Sequence, residues 1–179
     1  MSLRTILLHP DPRLKKKCAP VTTFDADLAA LADDMLETMY DAPGIGLAAP
    51  QIGITKRILV MDCAAREEDE ASAPKEPRVL INPEVTWVSE EKNVYEEGCL
   101  SIPEHYADVE RPSVVRIGFT DLQGKAHEEE FDGLWATCVQ HEIDHLNGKL
   151  FIDHIGSVKR TMITNKMKKF KKEQARRLA

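Results

Sequence analysis

A chain of 179 residues with 42% hydrophobic and 30% charged residues has the length for one compact domain, 1–179, and too much apolar content for wholesale disorder. Its net charge of −6 offers no general attraction to nucleic acid or to an anionic membrane. No apolar run approaches the roughly 20 residues of a membrane-spanning helix, and "MSLRTILLHPDPRLKKK" offers only Ile6 to Leu8 before prolines and lysines, too little for an export signal. Four cysteines (Cys18, Cys63, Cys99, Cys138) without such a signal point to a reducing compartment, so a cytoplasmic protein is expected.

In chain order, "FDADLAALADDMLETMY" places Leu28, Leu31, Ala32, Met35, Leu36 and Met39 at three and four spacing, which predicts an amphipathic helix capped by Asp25 and stopped at Pro43-Gly44. "KRILVMDC" reads as a short buried strand, and "AAREEDEASAPKEP" as a polar loop. "RVLINPEVTWV", "VYEEGCLSI", "SVVRIGFTD" and "AHEEEFDG" read as short strands punctuated by Pro112 and Gln123-Gly124. A second helix is expected from near Asp132 to Asn147-Gly148, a left-handed stop. The last helix begins near Gly156, with Val158, Met162, Ile163, Met167 and Phe170 on one side. The fold class expected is α+β: mostly antiparallel sheets packed around a central helix, with helices at both ends.

On the second helix, "VQHEIDHLNGKLF" sets His141 and His145 one turn apart, able to converge on one ion, with Glu142 beside the first and able to reach water. The bland alternative is two surface histidines. Against it, Leu134 and Cys138 each lie seven residues before one of the histidines, so that face looks inward. A third ligand six residues after His145 fails, because Phe151 stands there, and Glu173 lies in a lysine-rich tail. Cys138 sits about 7 Å along the axis from the midpoint of the pair and reads as pocket wall. Cys18 and Cys63 fit packing. Cys99, after a glycine at a strand edge in "EEGCLS", remains, and one Cys with two His leaves a position for water. "GIGLAAPQIG" could be a nucleotide loop, but no strand leads into it and Pro50 and Gln51 end it; its glycines mark a tight turn or a close backbone approach.

Together "GIGLAAPQ" (44–51), "EGCLS" (97–101) and "QHEIDHL" (140–146), with "HPDPRL" near the amino terminus, resemble in order and spacing the signature motifs of peptide deformylases. The resemblance covers nearly the whole chain. It implies hydrolysis of the formyl group from the N-formylmethionine of nascent polypeptides, by one ferrous ion, or substitute zinc, nickel or cobalt, held by Cys99, His141 and His145. An ion so held makes water nucleophilic, and Glu142 is then base and afterwards acid to the leaving amine. The Gln51 amide and, as the family implies, the backbone N–H of Leu100 face the developing oxyanion. Gly44 and Gly46 flank a backbone edge at Ile45 where an extended peptide could add as a strand. Ile45, Tyr95, Leu134, Thr137 and Cys138 match the family's methionine pocket, and Glu97 resembles a carboxylate that organises the site.

One departure stands out. Tyr106 occupies a position where many relatives place arginine, which bears on how the outer substrate is gripped. The competing readings are a metal-dependent amidase or peptidase acting on another amino terminus, and a non-catalytic protein with structural zinc, which would want four closed ligands. From Gly156 to Ala179 nine Lys and Arg stand against Glu173 alone. That imbalance suggests either a ribosome contact through the terminal helix or a solvated helix face.

Overall fold

The computed structural model describes residues 1–64 and 73–179. Most of the predicted polar loop "AAREEDEASAPKEP" lies outside these residues. The amino-terminal helix α1 (Ala26–Asp41) starts where the Asp25 side chain accepts the Leu28 amide, and buries Leu28, Leu31, Ala32, Met35 and Met39. The segment left by the sequence as a turn or backbone edge is instead a short strand, β1 (Gly46–Ala48), running into a 3-10 turn that ends at left-handed Gly53.

Strands β2 (Ile58–Met61), β3 (Arg78–Val88), β6 (Val115–Thr120) and β7 (Ala126–Phe131) join β1 in an antiparallel sheet ordered β1-β2-β3-β6-β7. The unbroken apolar run of β2 has a simple cause. Its alternate residues Ile58 and Val60 face α1, whereas Leu59 and Met61 pack with Val139, Ile143 and Leu146 of the central helix α2 (Gly133–Leu146). The strand is therefore buried on both faces.

A second, two-stranded sheet pairs β4 (Lys92–Cys99) with β5 (Ile102–Pro112). The sequence reading missed β5. Its inward positions include Ala107, Val109 and Arg111, and the arginine, buried because it is paired, hides the alternation of an otherwise polar segment. The inward side of β5, together with Leu150, Phe151 and Ile152, packs on the terminal helix α3 (Ser157–Leu178).

The apolar side expected of α3 is only partly correct. Ile163 and Met167 are buried with Phe170 packed beside them, but Val158 and Met162 are 75% and 52% exposed. At about 100° per residue, positions 163, 167 and 170 share a face, while 158 and 162 turn well away from it. Among the described residues no helix is long and apolar enough to cross a membrane.

Candidate metal centre

The central helix carries His141, Glu142 and His145 inward, at 9%, 4% and 1% exposure. They point inward because the helix is enclosed: the main sheet packs on one side and β5 approaches the other. Across from them β4 ends at Cys99, where the ladder shifts register after Glu97. Such a shift bends a strand and re-aims its last side chain. Cys99 Sγ lies 3.4 Å from His145 Nε2, which in turn lies 3.2 Å from His141 Nε2. All three donor atoms fall within 4.8 Å of one another.

Two imidazole nitrogens and a thiol sulfur converging from a helix and a strand are the donor set of a transition-metal or zinc site with one position left over. The surroundings fit a cation. Glu97 Oε1 lies 2.9 Å from His141 Nδ1, which orients that ring so that Nε2 faces the other two donors. Burial opposes charge on His141, yet Cys99 and Glu97 hold its pKa well above the ordinary imidazole value. Burial, with His141 beside it, keeps His145 well below that value, a neutral ring suited to ligation.

Glu97 is itself held in place. Arg111 donates Nε and Nη2 to its two oxygens at 2.7 and 3.0 Å, and Nη1 to Asp144 at 2.9 Å. Burial would raise the Glu97 carboxyl, but hydrogen bonds from His141 and Arg111 hold it down at about 2. Arg111 and Asp144 went unnoticed in the sequence; the available signal for Arg111 was its parity with Ala107 and Val109.

A cleft of about 470 Å³ opens beside the three donors. Gly44, Ile45, Gly46, Gln51, Tyr95, Glu97, Cys99, Leu100, Leu134, Thr137, Cys138, His141 and Glu142 all line it, and His145 lies behind, wholly buried. The residues that the resemblance implied for the site therefore line this cleft, or in the case of His145 lie behind it. Cys138 is wall, its Sγ 3.6 Å from the Ile45 carbonyl, while Cys18 and Cys63 sit in the core. Gln51 is fixed at both ends of its amide: Oε1 accepts the Ala48 N–H at 2.9 Å, and Nε2 donates to Ser101 Oγ at 3.1 Å and towards Cys99 Sγ at 3.5 Å. Glu142 Oε2 is buried with no hydrogen-bond partner among the described residues, and burial pushes its carboxyl up to about 7. The mouth of the cleft adds Glu96, Glu104 and His105, which sequence reasoning did not place there, and Tyr106, which it connected with the grip on the outer substrate.

The sequence model of the polypeptide deformylase family matches residues 3–161. A peptide deformylase of Bradyrhizobium diazoefficiens is 56% identical over 94% of this chain and 97% of its own length. Among solved structures, a peptide deformylase from Legionella pneumophila superposes with a TM-score of 0.86 at 46% identity, covering 98% of this chain and 99% of that one. Another, from Ehrlichia chaffeensis, gives 0.90 at 36% identity over 97% and 99%. With a family model that matches residues 3–161 and relatives at this identity over nearly their full length, the chain belongs to the polypeptide deformylase family, hydrolases that remove the formyl group from an amino-terminal formylmethionine.

Proposed function

We propose that residues 1–179 act as one catalytic unit that deformylates N-formylmethionyl nascent peptides in the cytoplasm, with Cys99, His141 and His145 holding a single ferrous ion that zinc, nickel or cobalt can replace. The observation that carries this reading is the meeting of those three donors beside a peptide-sized cleft, next to Glu142, whose buried Oε2 has no hydrogen-bond partner among the described residues. A divalent ion held there supplies Lewis acidity and makes water a nucleophile at neutral pH.

The chain's own residues supply the rest. Glu142, with its pKa near 7, accepts the proton of the attacking water and returns it to the departing amine. The Gln51 amide is held at Oε1 by the Ala48 N–H and at Nε2 by Ser101; its second Nε2 hydrogen, directed towards Cys99 Sγ, is assigned to the oxyanion, and the Leu100 N–H, next to Cys99 in the turn after β4, is assigned as the second donor. β1 is the outermost strand of its sheet; the Gly44 N–H and the Ile45 carbonyl are already bonded to Met39 and Asp62, and the remaining open edge can pair with an extended peptide. Ile45, Tyr95, Leu134, Thr137 and Cys138 then surround the methionine side chain, whose thioether suits an apolar, sulfur-lined wall.

The test is formate release by protein purified without oxygen, from formyl-Met-Ala-Ser against acetate release from acetyl-Met-Ala-Ser. Formate from the first and little acetate from the second is the expected result; comparable rates would point to a broader amidase.

The basic α3 is assigned to the ribosome, on its nine cations against Glu173. Lys171 is not free for this role, since its Nζ donates to the Leu8 carbonyl at 3.3 Å. A chain ending at Lys171 therefore keeps that tether and the apolar anchors while losing Lys172, Arg176 and Arg177. It should co-sediment with ribosomes less than the full chain at low salt, because phosphate contacts are what salt displaces.

A further inference from the structure

Asp62 is a buried carboxylate that the chemistry above does not use. It is 6% exposed and follows directly on β2. Its two oxygens accept three hydrogen bonds: Oδ2 takes the Tyr40 hydroxyl at 2.6 Å and the Glu76 N–H at 2.9 Å, and Oδ1 takes the Ala64 N–H at 3.1 Å. A carboxylate taken out of water is tolerated only when donors surround it, so these three partners keep Asp62 in its place. Its backbone reaches a fourth. The Asp62 N–H donates to the Ile45 carbonyl at 2.8 Å, carrying the pairing of β1 with β2 one step beyond Gly46 and Met61.

Tyr40 and Ile45 stand at the two ends of the connection from α1 to β1, and this one residue holds both. Tyr40 is next to last in α1, and the residues that follow the helix, Ala42, Pro43, Gly44 and Ile45, all line the cleft. None of these four is buried, so packing alone determines their course weakly. Hydrogen bonds do so instead: the Gly44 N–H donates to the Met39 carbonyl at 2.9 Å, and Tyr40 closes on Asp62. Lys75 Nζ lies over the Tyr40 ring, 4.1 Å from its centroid, and steadies it. Burial and the Asp62 carboxylate raise the Tyr40 phenol above its ordinary pKa, so the hydroxyl keeps its proton and remains a donor.

The stretch held in this way is the one whose open edge can receive an extended peptide. An edge already in position accepts a strand without first losing its own conformational freedom, and the difference appears as affinity. We infer that Tyr40 and Asp62 are positioning residues for the substrate backbone: hydroxyl and carboxylate latch the end of α1 to the end of β2, and so hold Gly44 and Ile45 where the peptide pairs with them.

The inference rests on the deformylase reading, and the experiment separates the two. KM and kcat are measured on formyl-Met-Ala-Ser, which has backbone beyond methionine to pair, and on formyl-Met amide, which has none. Tyr40→Phe removes the hydroxyl and keeps the ring. KM for the tripeptide should rise roughly three- to tenfold, the scale of one hydrogen bond, with little change in kcat, because backbone pairing is uniform between ground and transition states. The amide should lose far less, so the tripeptide-to-amide ratio of kcat/KM falls. A variant that was merely less folded would lose active enzyme for both substrates alike and leave that ratio unchanged. Asp62→Asn, whose amide nitrogen accepts no hydrogen bond, should lower the ratio at least as far, and the double variant no further than Asp62→Asn, since the two residues form one latch. Ile163→Val, which thins the packing of α3, should leave the ratio in place. If Asp62→Asn does not fold, Tyr40→Phe decides alone. A ratio unmoved in Tyr40→Phe would overturn the positioning role while leaving deformylation standing. No formate from either substrate with the parent enzyme would overturn the deformylase reading and the inference with it.

Discussion

Glu97 Oε1 meets His141 Nδ1 at 2.9 Å, on the ring edge turned away from the Nε2 that faces His145 and Cys99. A carboxylate there fixes the imidazole tautomer and increases its basicity as a ligand. Glu97→Gln should therefore weaken divalent-ion affinity by roughly 10- to 100-fold in a chelator competition. Arg111→Met leaves the Glu97 charge buried without its counterion and should cost about 3–5 kcal/mol in urea denaturation. An Arg111→Met protein as stable as its parent would show that the buried pair is not needed to hold Glu97.

Ligands and proton carrier can be told apart by metal content. Glu142→Gln should keep one ion per chain and lose roughly 10²- to 10⁴-fold in kcat. Cys99→Ala should lose the ion, and Cys138→Ala should keep it. Elemental analysis of the three variants decides the assignment; a metal-free Glu142→Gln would make Glu142 a ligand instead.

Gly46 leaves no room for a side chain. A Cβ at this position would come within 2.5 Å of Glu142 Oε1 and 2.9 Å of Cys138 Sγ. Gly46→Ala should push the Glu142 carboxylate off its position and lower kcat by about 100-fold, the scale of a misplacement near 1 Å, with the circular dichroism spectrum unchanged. Gly156→Ala is the control, since nothing lies within 4 Å of a Cβ there.

His9 makes stability depend on pH in a defined direction. Its Nε2 lies 2.9 Å from Thr164 Oγ1 of α3, joining the amino-terminal segment to the terminal helix. Burial, reinforced by Lys15, Lys171 and Lys168 against Asp153, lowers its pKa from 6.5 to about 4. The unfolded chain therefore takes up this proton first as pH falls. The His9 contribution is complete above pH 6.5 and is lost as pH falls through 4, amounting to roughly 2–3 kcal/mol. Urea midpoints of the parent and His9→Gln, compared at pH 7 and 4.5, should show a steeper loss in the parent; parallel losses would assign the acid sensitivity to other groups.

The parts of this protein legible in its sequence are those set within one turn or one strand. Apolar residues at three and four spacing after Asp25 specify α1 because a helix brings those positions to one face. The run Ile58–Met61 specifies a strand buried on both sides, and His141, Glu142 and His145 share a helix face through local geometry alone. Cys99 could be chosen as third ligand from residue chemistry, but its arrival 3.4 Å from His145, 46 residues away, is a product of the hairpin packing on α2. β5 was hidden for the same reason. Arg111 occupies an inward position only because Glu97 and Asp144, 14 and 33 residues distant, neutralise it there, and a buried charge without its partners is too costly to be read as core. The closeness of Gly46 to Glu142 and the meeting of Tyr40 with Asp62 follow from packing and register. Neither relation leaves a periodic trace in the chain, so both had to await the tertiary structure.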